Sequence, residues 1–450
     1  MKNIFLKVLI YSALLLNVSC SKELNTTPTT DIDASVALQT SDDVKAALIG
    51  AYADMGNLDF YGGRIFMEAD LLADVNEISW SGTYQGLTQI HNKNIPTDDG
   101  FVTNAWLAGY KTINDVNNVL NSLSAVVPHD SMRVSGEAMF IRGASYFELV
   151  KRFAKAWNDG TPTANPGVPL VLTPTTLISE SNKVKRNSVA EVYQQVISDL
   201  MAAESKLPAT NGFFATKGAA AAILARVYLQ QGDYNSALQA ANRAITEATT
   251  VDGLPVQLTG TYSAAFGKTN TSEDIFAMQV TTTSGTQGFN EFYSSAQRGD
   301  ITITDAHLSL YDSTDARRQL FYEDNGSMYS GKFEELYGNV HTIRLAEMLL
   351  IRAEANFRLN SAVGAAPLDD INAIRERAGV TPYTPDELTL DNILKERRLE
   401  LAFEGFRLDD VKRLQENVGN LAWNAPQLVF PIPKRETLAN PNIGQNEGYQ

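Results

Sequence analysis

Three glutamates spaced four residues apart are the strongest candidates for catalytic chemistry in this 450-residue sequence. Glu396, Glu400 and Glu404 stand in K-E-R-R-L-E-L-A-F-E-G-F-R-L-D-D-V-K-R, and this spacing places side chains on one face of a helix. Carboxylate pairs hydrolyse glycosidic bonds, but that reaction needs two of them facing each other across a sugar in an open cleft. Three glutamates along one helix do not supply this arrangement.

Arginines beside the glutamates favour a structural interpretation. Arg397 stands three residues before Glu400, and Arg407 stands three residues after Glu404, so each can neutralise a neighbouring carboxylate. Apolar residues cover much of the remaining surface of the predicted helix, which indicates that part of the cluster is buried. Because buried charges require partners, we predict an ion cluster that stabilises the fold and takes no part in catalysis.

Other signatures of catalysis are missing. The sequence contains no His-Glu-x-x-His, no Gly-x-Ser-x-Gly and no phosphate-binding P-loop. Asp324-Asn325-Gly326 alone is too little for a calcium loop. The four histidines are scattered without the spacing of metal ligands: His91, His129, His307 and His341. We therefore expect no catalytic residues, no metal and no cofactor.

The single cysteine, Cys20, ends the first apolar run of the chain. Lys2 and Lys7 give this segment a positive start and small residues precede the cysteine, which is the layout of a secretory signal. A cysteine directly after Ser19 suggests cleavage by a lipoprotein signal peptidase and attachment of lipid to the sulfur. Asn17 stands where that pattern usually has Leu, so the alternative is an ordinary signal peptide with an incidental cysteine.

These features divide the start of the chain into a lipoprotein signal peptide over residues 1–19 and a lipidated tether over residues 20–40. No later apolar run approaches the ~20 residues that a membrane-spanning helix requires, so lipid on Cys20 is the predicted attachment to the membrane. Loss of the signal, with its two lysines, takes the formal net charge from −15 to −17. No basic patch offsets this charge, which argues against nucleic acid as a partner.

Helical periodicity dominates the rest of the chain and predicts a mainly α protein. Apolar residues recur at helical spacing over four segments, about 41–55, 102–158, 188–249 and 341–416. In the third, small and aromatic residues match the positions of a tetratricopeptide repeat: Gly218, Ala225, Tyr228, Ala237 and Ala244. Gly232-Asp233-Tyr234 is the predicted turn between its two helices, and residues 344–378 predict a second, degraded pair. A single repeat cannot bury its own apolar face, so other helices must stack on it.

Residues 251–340 predict a loop-rich insert. They are rich in Gly, Thr, Ser and aromatic residues, as in T-Q-G-F-N-E-F-Y, and their helical periodicity is weak. Binding residues gather on loops that a rigid scaffold holds in place. The insert is therefore the predicted ligand face.

Several segments, in order, make the chain similar to the SusD/RagB family of Bacteroidetes outer-membrane lipoproteins. Near the start stands D-V-K-A-A-L-I-G-A-Y, followed by S-G-E-A-M-F-I-R-G-A-S-Y-F-E-L-V-K-R-F, and near the end stand I-N-A-I-R-E-R-A-G-V and E-R-R-L-E-L-A-F-E-G-F-R-L-D-D-V-K-R. The resemblance covers nearly the whole chain. It implies a single SusD-like domain over residues 41–450, with tetratricopeptide-like helices and a ligand face built from inserted loops.

The resemblance also implies a function without catalysis. Family members capture oligosaccharides, or peptides in the RagB branch, and pass them to a SusC-like TonB-dependent transporter beneath them. Ser21-Lys22-Glu23 resembles in part the signal that sends such lipoproteins to the cell surface, which implies an outward-facing protein on the outer membrane. Peptide capture and, behind it, glycoside hydrolysis remain the alternatives to oligosaccharide capture.

Candidate ligand contacts follow from the same resemblance. In glycan-binding relatives an aromatic arc draws on the loop after an early D-x-N-E segment and on the later insert, and sugar faces stack on such rings. The matching aromatic residues are Trp80, Tyr84, Phe289, Phe292 and Tyr293. The polar candidates for binding sugar hydroxyls are Asn76, Gln85, Asn290 and Arg64. For each ring, the alternative is a side chain packed beneath a long loop.

Overall fold

The computed structural model describes residues 37–176, 180–283 and 285–449. Cys20, the predicted signal peptide and most of the predicted tether lie outside the described residues. Fifteen α-helices and six short strands lie within them, so the described chain is mainly α, as predicted. None of the described helices is long and apolar enough to cross a membrane.

The helices follow one another along the whole described chain. In order they are α1 (Ser41–Met55), α2 (Arg64–Ala73), α3 (Gln85–His91), α4 (Gly100–Asn121), α5 (Pro128–Phe153), α6 (Val189–Lys206), α7 (Lys217–Gln231), α8 (Tyr234–Glu247), α9 (Gly288–Tyr293), α10 (Asp305–Leu308), α11 (Leu345–Leu359), α12 (Pro367–Arg377), α13 (Leu390–Glu400), α14 (Arg407–Leu414) and α15 (Lys434–Ala439). Neighbours α4 to α8 pack on one another in sequence, and α8 packs on α11.

The strands form three antiparallel pairs. They are β1 (Ile78–Trp80), β2 (Asp274–Met278), β3 (Ile301–Ile303), β4 (Phe321–Asp324), β5 (Ser327–Ser330) and β6 (Val340–Arg344). β1 pairs with β3, β2 with β6 and β4 with β5. Four of the six strands lie in the predicted insert, which is therefore built from short strands and helical turns as well as loops.

Helix α1 begins and ends where the sequence predicts. The Thr40 hydroxyl accepts the Asp43 N–H, and the Asp43 carboxylate accepts the Thr40 N–H in return, which satisfies two of the free donors at the helix start. Val44, Leu48 and Met55 face the core. One apolar face and a capped start are enough to determine this helix.

Helices α7 and α8 form the predicted tetratricopeptide-like hairpin. Gly232 ends α7 in the left-handed region (φ 71°), and the Asp233 carboxylate caps α8 by accepting the Ser236 N–H. Gly218 allows the close approach of the segment after α8, because a Cβ there would lie 2.6 Å from the Ala248 Cα. Helices α11 and α12 supply the second predicted pair and pack on each other.

The predicted helix that carries all three glutamates is wrong in one respect, because the structure divides it. Helix α13 ends at Glu400 and α14 begins at Arg407. Phe403 (φ 65°) and Gly405 (φ 85°) adopt left-handed backbone conformations between them, and these interrupt helical hydrogen bonding. The Gly405 N–H donates to the Asp70 carboxylate, which holds this turn against α2.

Candidate ligand-binding site

Strand β1 places Trp80 beside the insert. Trp80 pairs with Ile301 of β3, so it belongs to a strand and not to a free loop. Its indole Nε1 donates to the Thr88 hydroxyl at 2.8 Å. Gly82 lies directly against the ring, since an added Cβ would come within 2.3 Å of it. The indole is half-buried and held in one orientation, and part of it remains accessible.

Tyr84 is the exposed aromatic residue of this region, with 38% of its surface accessible. Its ring makes T-shaped contacts with Phe101, at a centroid distance of 5.5 Å, and with Phe292 at 6.1 Å. The Arg298 guanidinium lies 4.2 Å from the ring centroid, a cation–π contact. Arg298 is oriented in turn by the Asp300 carboxylate at 2.7 Å.

Two of the polar candidates are exposed, and a third already forms ion pairs within the protein. Asn76 and Gln85 are exposed; Gln85 is the first residue of α3. Arg64 is half-buried, and its guanidinium donates to Asp59 and to Glu291 at 2.7 Å each. The Arg64 Nε has no hydrogen-bond partner among the described residues. The ion pair with Glu291 holds the insert against α2.

Buried positions hold the remaining four candidates. Phe289 stacks on Phe333 at a centroid distance of 4.4 Å, while Phe292 and Tyr293 are fully buried. Asn290 is also buried, and its amide donates to the Phe333 carbonyl at 2.6 Å. These rings pack with Phe333 as part of the hydrophobic core. Their burial supports packing, the alternative interpretation, and leaves them no exposed face to offer a ligand.

The structure thus brings Trp80, Tyr84 and Gln85 together with three residues that the sequence does not indicate. Phe101, Arg298 and Asp300 come from α4 and from the segment before β3. Only the pairing of β1 with β3 brings Arg298 to Tyr84. No short-range pattern in the sequence predicts this contact between Arg298 and Tyr84.

The three glutamate side chains of the sequence motif are largely buried, and each pairs with two cationic side chains, although the Glu400 Oε2 has no hydrogen-bond partner among the described residues. Glu396 accepts from Arg317 and Arg375, Glu400 from Arg344 and Arg377, and Glu404 from Arg344 and Lys332. The predicted partners are wrong: Arg397 pairs with Asp410, and Arg407 pairs with Glu416. The cations come instead from residues 317–377, which precede α13 in the chain.

This pairing determines the charge of the cluster. Arg377, Arg344 and other cations outweigh the effect of burial and lower the pKa of Glu400 to about 2. Arg344 and Lys332 likewise lower the pKa of Glu404. Both side chains are therefore ionised at neutral pH, and neither can act as the proton donor that glycosidic cleavage requires. Within the described parts of the chain, no three His, Cys, Asp or Glu side chains are grouped as a metal site.

Comparison with known proteins supports one family over most of the chain. Residues 28–229 match the family described as "Starch-binding associating with outer membrane", and residues 264–427 match the SusD family. SusD-like protein P2 of Formosa agariphila is 26% identical, over 98% of this chain and 99% of its own length.

Solved structures agree with this. A SusD superfamily protein of Bacteroides thetaiotaomicron has a TM-score of 0.81 and 26% identity, over 90% of this chain and 99% of its own. A laminarin-binding SusD-like protein shares the fold, with a TM-score of 0.73 and 23% identity over 91% of this chain and 100% of its own. On these matches, and on a mainly helical fold with a tetratricopeptide-like hairpin, the chain belongs to the SusD/RagB family.

Proposed function

We propose that this protein captures an oligosaccharide at the surface formed by Trp80, Tyr84 and Gln85, and that it does not cleave the sugar. The observation that carries the proposal is the exposed Tyr84 ring, supported by Phe101 and flanked by Arg298 and Asp300. A sugar ring has apolar C–H faces and polar hydroxyls at its edge. An aromatic surface bordered by charged and amide groups matches both.

The relatives support this class of ligand. The family matched by the first half of the chain is described as starch-binding, and one structural neighbour binds laminarin. Both are glucose polymers, which makes neutral glucans the first ligands to test. The proposal extends to a SusC-like TonB-dependent transporter as the recipient of the sugar, and to an outer-membrane location with a lipid anchor at Cys20.

Trp80 is the proposed main contact, with Tyr84 beside it. The hydrogen bond from the Trp80 indole to Thr88 and the contact with Gly82 hold the ring before a ligand arrives, which reduces the entropy lost on binding. Asn76 and Gln85 are the proposed partners of sugar hydroxyls. Phe289, Phe292, Tyr293, Asn290 and Arg64 are proposed to support this surface from below.

Calorimetry and affinity electrophoresis against a panel of soluble glucans test the proposal, with the protein lacking residues 1–20. We expect affinities between about 1 mM and 1 μM for a shallow site (about −4 to −8 kcal/mol). Removal of one stacked ring costs ~1–3 kcal/mol by analogy with other aromatic stacking. Trp80→Ala should therefore weaken binding by about 5- to 150-fold.

Phe213→Ala is the matched control, because Phe213 is an exposed aromatic residue (55% accessible) on another segment. Its affinity should equal that of the wild type. Binding of peptides with no binding of glucans would replace this proposal by peptide capture. Accumulation of reducing ends would show an enzyme. Unchanged affinity in both Trp80→Ala and Tyr84→Ala would place the site elsewhere.

A further inference from the structure

An open groove of about 500 Å³ lies on the tetratricopeptide-like hairpin, between α6, α7 and α8. Its volume is within the usual range of small-molecule sites, roughly 300–1,000 Å³. None of the proposed sugar contacts lines it. Among the described residues that do, Met201 and Tyr228 alone are apolar or aromatic, and the others carry charged, amide or hydroxyl groups. The groove is therefore mainly polar.

The charged side chains of the groove neutralise one another. The Arg243 guanidinium donates to both carboxylate oxygens of Glu204, at 2.6 and 3.1 Å, and Lys217 pairs with Glu247 at 2.9 Å. Two cations thus face two carboxylates, and no charge is left over to select a charged ligand. The Arg243 side chain is 40% accessible and keeps a donor, Nη1, outside its ion pair. A neutral polar ligand can accept a hydrogen bond from it.

The amide side chains of Asn235 and Gln239 are available to a ligand. Both are exposed, and neither forms a side-chain hydrogen bond with the described chain. They stand four residues apart on α8, so they share one face of the helix, with Cβ atoms roughly 5–6 Å apart. An amide offers both a donor and an acceptor, and so it can bind a hydroxyl group in either direction.

Tyr228 and Met201 supply the apolar part of the groove. Tyr228 is half-buried on α7, and Met201 is exposed on α6. A sugar can place a C–H face against such side chains and its hydroxyls against the polar groups around them. A peptide would need pockets for its own apolar side chains, and the described lining holds no other apolar side chain to form them. These features favour a neutral oligosaccharide over a peptide.

We infer that this groove is a second oligosaccharide-binding site, on the helical repeat and separate from the surface formed by Trp80, Tyr84 and Gln85. The side chains of Asn235, Gln239 and Arg243 would bind sugar hydroxyls, and Tyr228 would contact a ring face. Because the two sites share no residue, each can bind sugar when the other is removed.

Two exposed methionines allow bound sugar to be located in the chain. Met201 lines the groove and is 56% accessible, whereas Met132, on α5, lies outside it and is 61% accessible. Hydrogen peroxide oxidises exposed methionine to the sulfoxide, and peptide mass spectrometry gives the rate for each residue. The probes are maltoheptaose, laminarihexaose and xylohexaose, at millimolar concentrations, on the purified full chain. At saturation, at least one probe should slow Met201 oxidation by about threefold or more, because bound sugar covers the sulfur. The rate for Met132 should not change.

Three variants show where the protecting sugar binds. Asn235→Ala combined with Gln239→Ala should raise the sugar concentration for half-maximal protection of Met201 by about tenfold, through loss of two hydrogen bonds. Both side chains are exposed and without partners, so this variant should fold. Gln319→Ala removes an exposed amide from the insert and should behave as the wild type does. Trp80→Ala should also retain the protection, because Trp80 does not line the groove.

Four results would overturn the assignment. One is equal half-maximal concentrations in the wild type and the Asn235→Ala, Gln239→Ala variant. Another is equal slowing at Met132 and Met201, which would show a general effect of the sugar on oxidation. Loss of protection in Trp80→Ala would mean that Met201 responds to sugar bound at the first site. No protection of Met201 by any of the three sugars would exclude the site as well, and protection by neutral peptides instead would identify a peptide groove.

Discussion

Arg344 contacts three carboxylates at once. Its guanidinium donates to Glu273 at 2.6 Å, to Glu400 at 3.0 Å and to Glu404 at 2.7 Å, and only 1% of its side chain is accessible. Lys332 adds a second cation to Glu404 at 2.7 Å. The members of this cluster come from the residue before β2, the end of β6, the segment after β5, the end of α13 and the turn that follows it. Each member depends on the others to offset the cost of its burial.

Glu404→Gln should therefore destabilise the fold strongly. It leaves Arg344 and Lys332 short of one negative charge in a buried site, a change that typically costs ~3–5 kcal/mol. Glu416→Gln is the control, because Glu416 is 41% accessible in its pair with Arg407 and such pairs contribute only about 0–1 kcal/mol. Urea unfolding followed by circular dichroism measures both. Equal stability of the two variants would contradict the structural importance of the cluster.

Asp70 gives a prediction on pH. Burial raises its pKa to about 8 in the folded protein, against ~3.9 in an unfolded chain. Between these values the folded state binds the extra proton, so the contribution of Asp70 to stability falls as the pH rises from about 4 to 8, by up to ~1.4 kcal/mol per unit. Asp70→Asn removes this dependence and keeps an acceptor for the Gly405 N–H.

The free energy of unfolding of Asp70→Asn, measured relative to wild type, should therefore increase from pH 5 to pH 8. Denaturant titrations at three pH values across this range provide the measurement. Parallel pH profiles for the two proteins would mean that Asp70 is already ionised in the folded state at pH 5.

At the scale of elements, the turn between α13 and α14 depends on Gly405. Its φ of 85° is unfavourable for other residues, and an added Cβ would lie 2.5 Å from the Phe66 Cβ. Gly405→Ala should cost about 2–5 kcal/mol, from backbone strain and overpacking together. Gly419 also has a positive φ, of 58°, but open space around it, so Gly419→Ala isolates the backbone part, ~1–2 kcal/mol. Thermal melts measure the loss of stability in both variants. Similar losses would show that Phe66 moves aside for the methyl group added at position 405.

Helical spacing of apolar residues together with a capped start makes a helix easy to predict. Helix α1 has both features, and its predicted limits agree with the structure. Helix α2 was not predicted. Every residue from Ile65 to Ala73 is buried, including Glu68 and Asp70, so this short helix has no alternation of apolar and polar faces that its sequence could reveal. The end of α13 at Glu400 was not predicted either, because the glutamates keep their helical spacing through the turn that follows.

The site was predictable only in part. The resemblance indicates Trp80 and Tyr84, and both lie at the surface that we propose for sugar binding. It also indicates Phe289, Phe292 and Tyr293, which the structure buries. A sequence shows that an aromatic residue stands in an insert, but the exposure of its ring depends on which side chains the folded chain packs around it. Arg298 reaches Tyr84 through strand pairing, which is a property of the folded chain.

At the scale of the whole molecule, lipid attachment at Cys20 remains a prediction. Cys20→Ser should abolish incorporation of an alkyne-labelled fatty acid in a Bacteroides host, because serine lacks the acceptor sulfur. Ser21→Ala, at the next position, should incorporate the label as the wild type does. Protease treatment of intact cells then tests the outward orientation. Persistent labelling of Cys20→Ser would show that another residue carries the lipid or that the label is not attached as a thioether-linked lipid.

The hydrogen bond between the Gly405 N–H and Asp70 joins residues 335 positions apart, and it has a consequence for the order of folding. Hairpins such as α7–α8 involve only local contacts and can form early, while high contact order delays α2. At ~5–20 residues per second, synthesis of that interval takes roughly 20–70 s, during which the apolar surface of α2 lacks its final cover. We therefore expect chaperones to bind the nascent segment around α2 and not the α7–α8 hairpin.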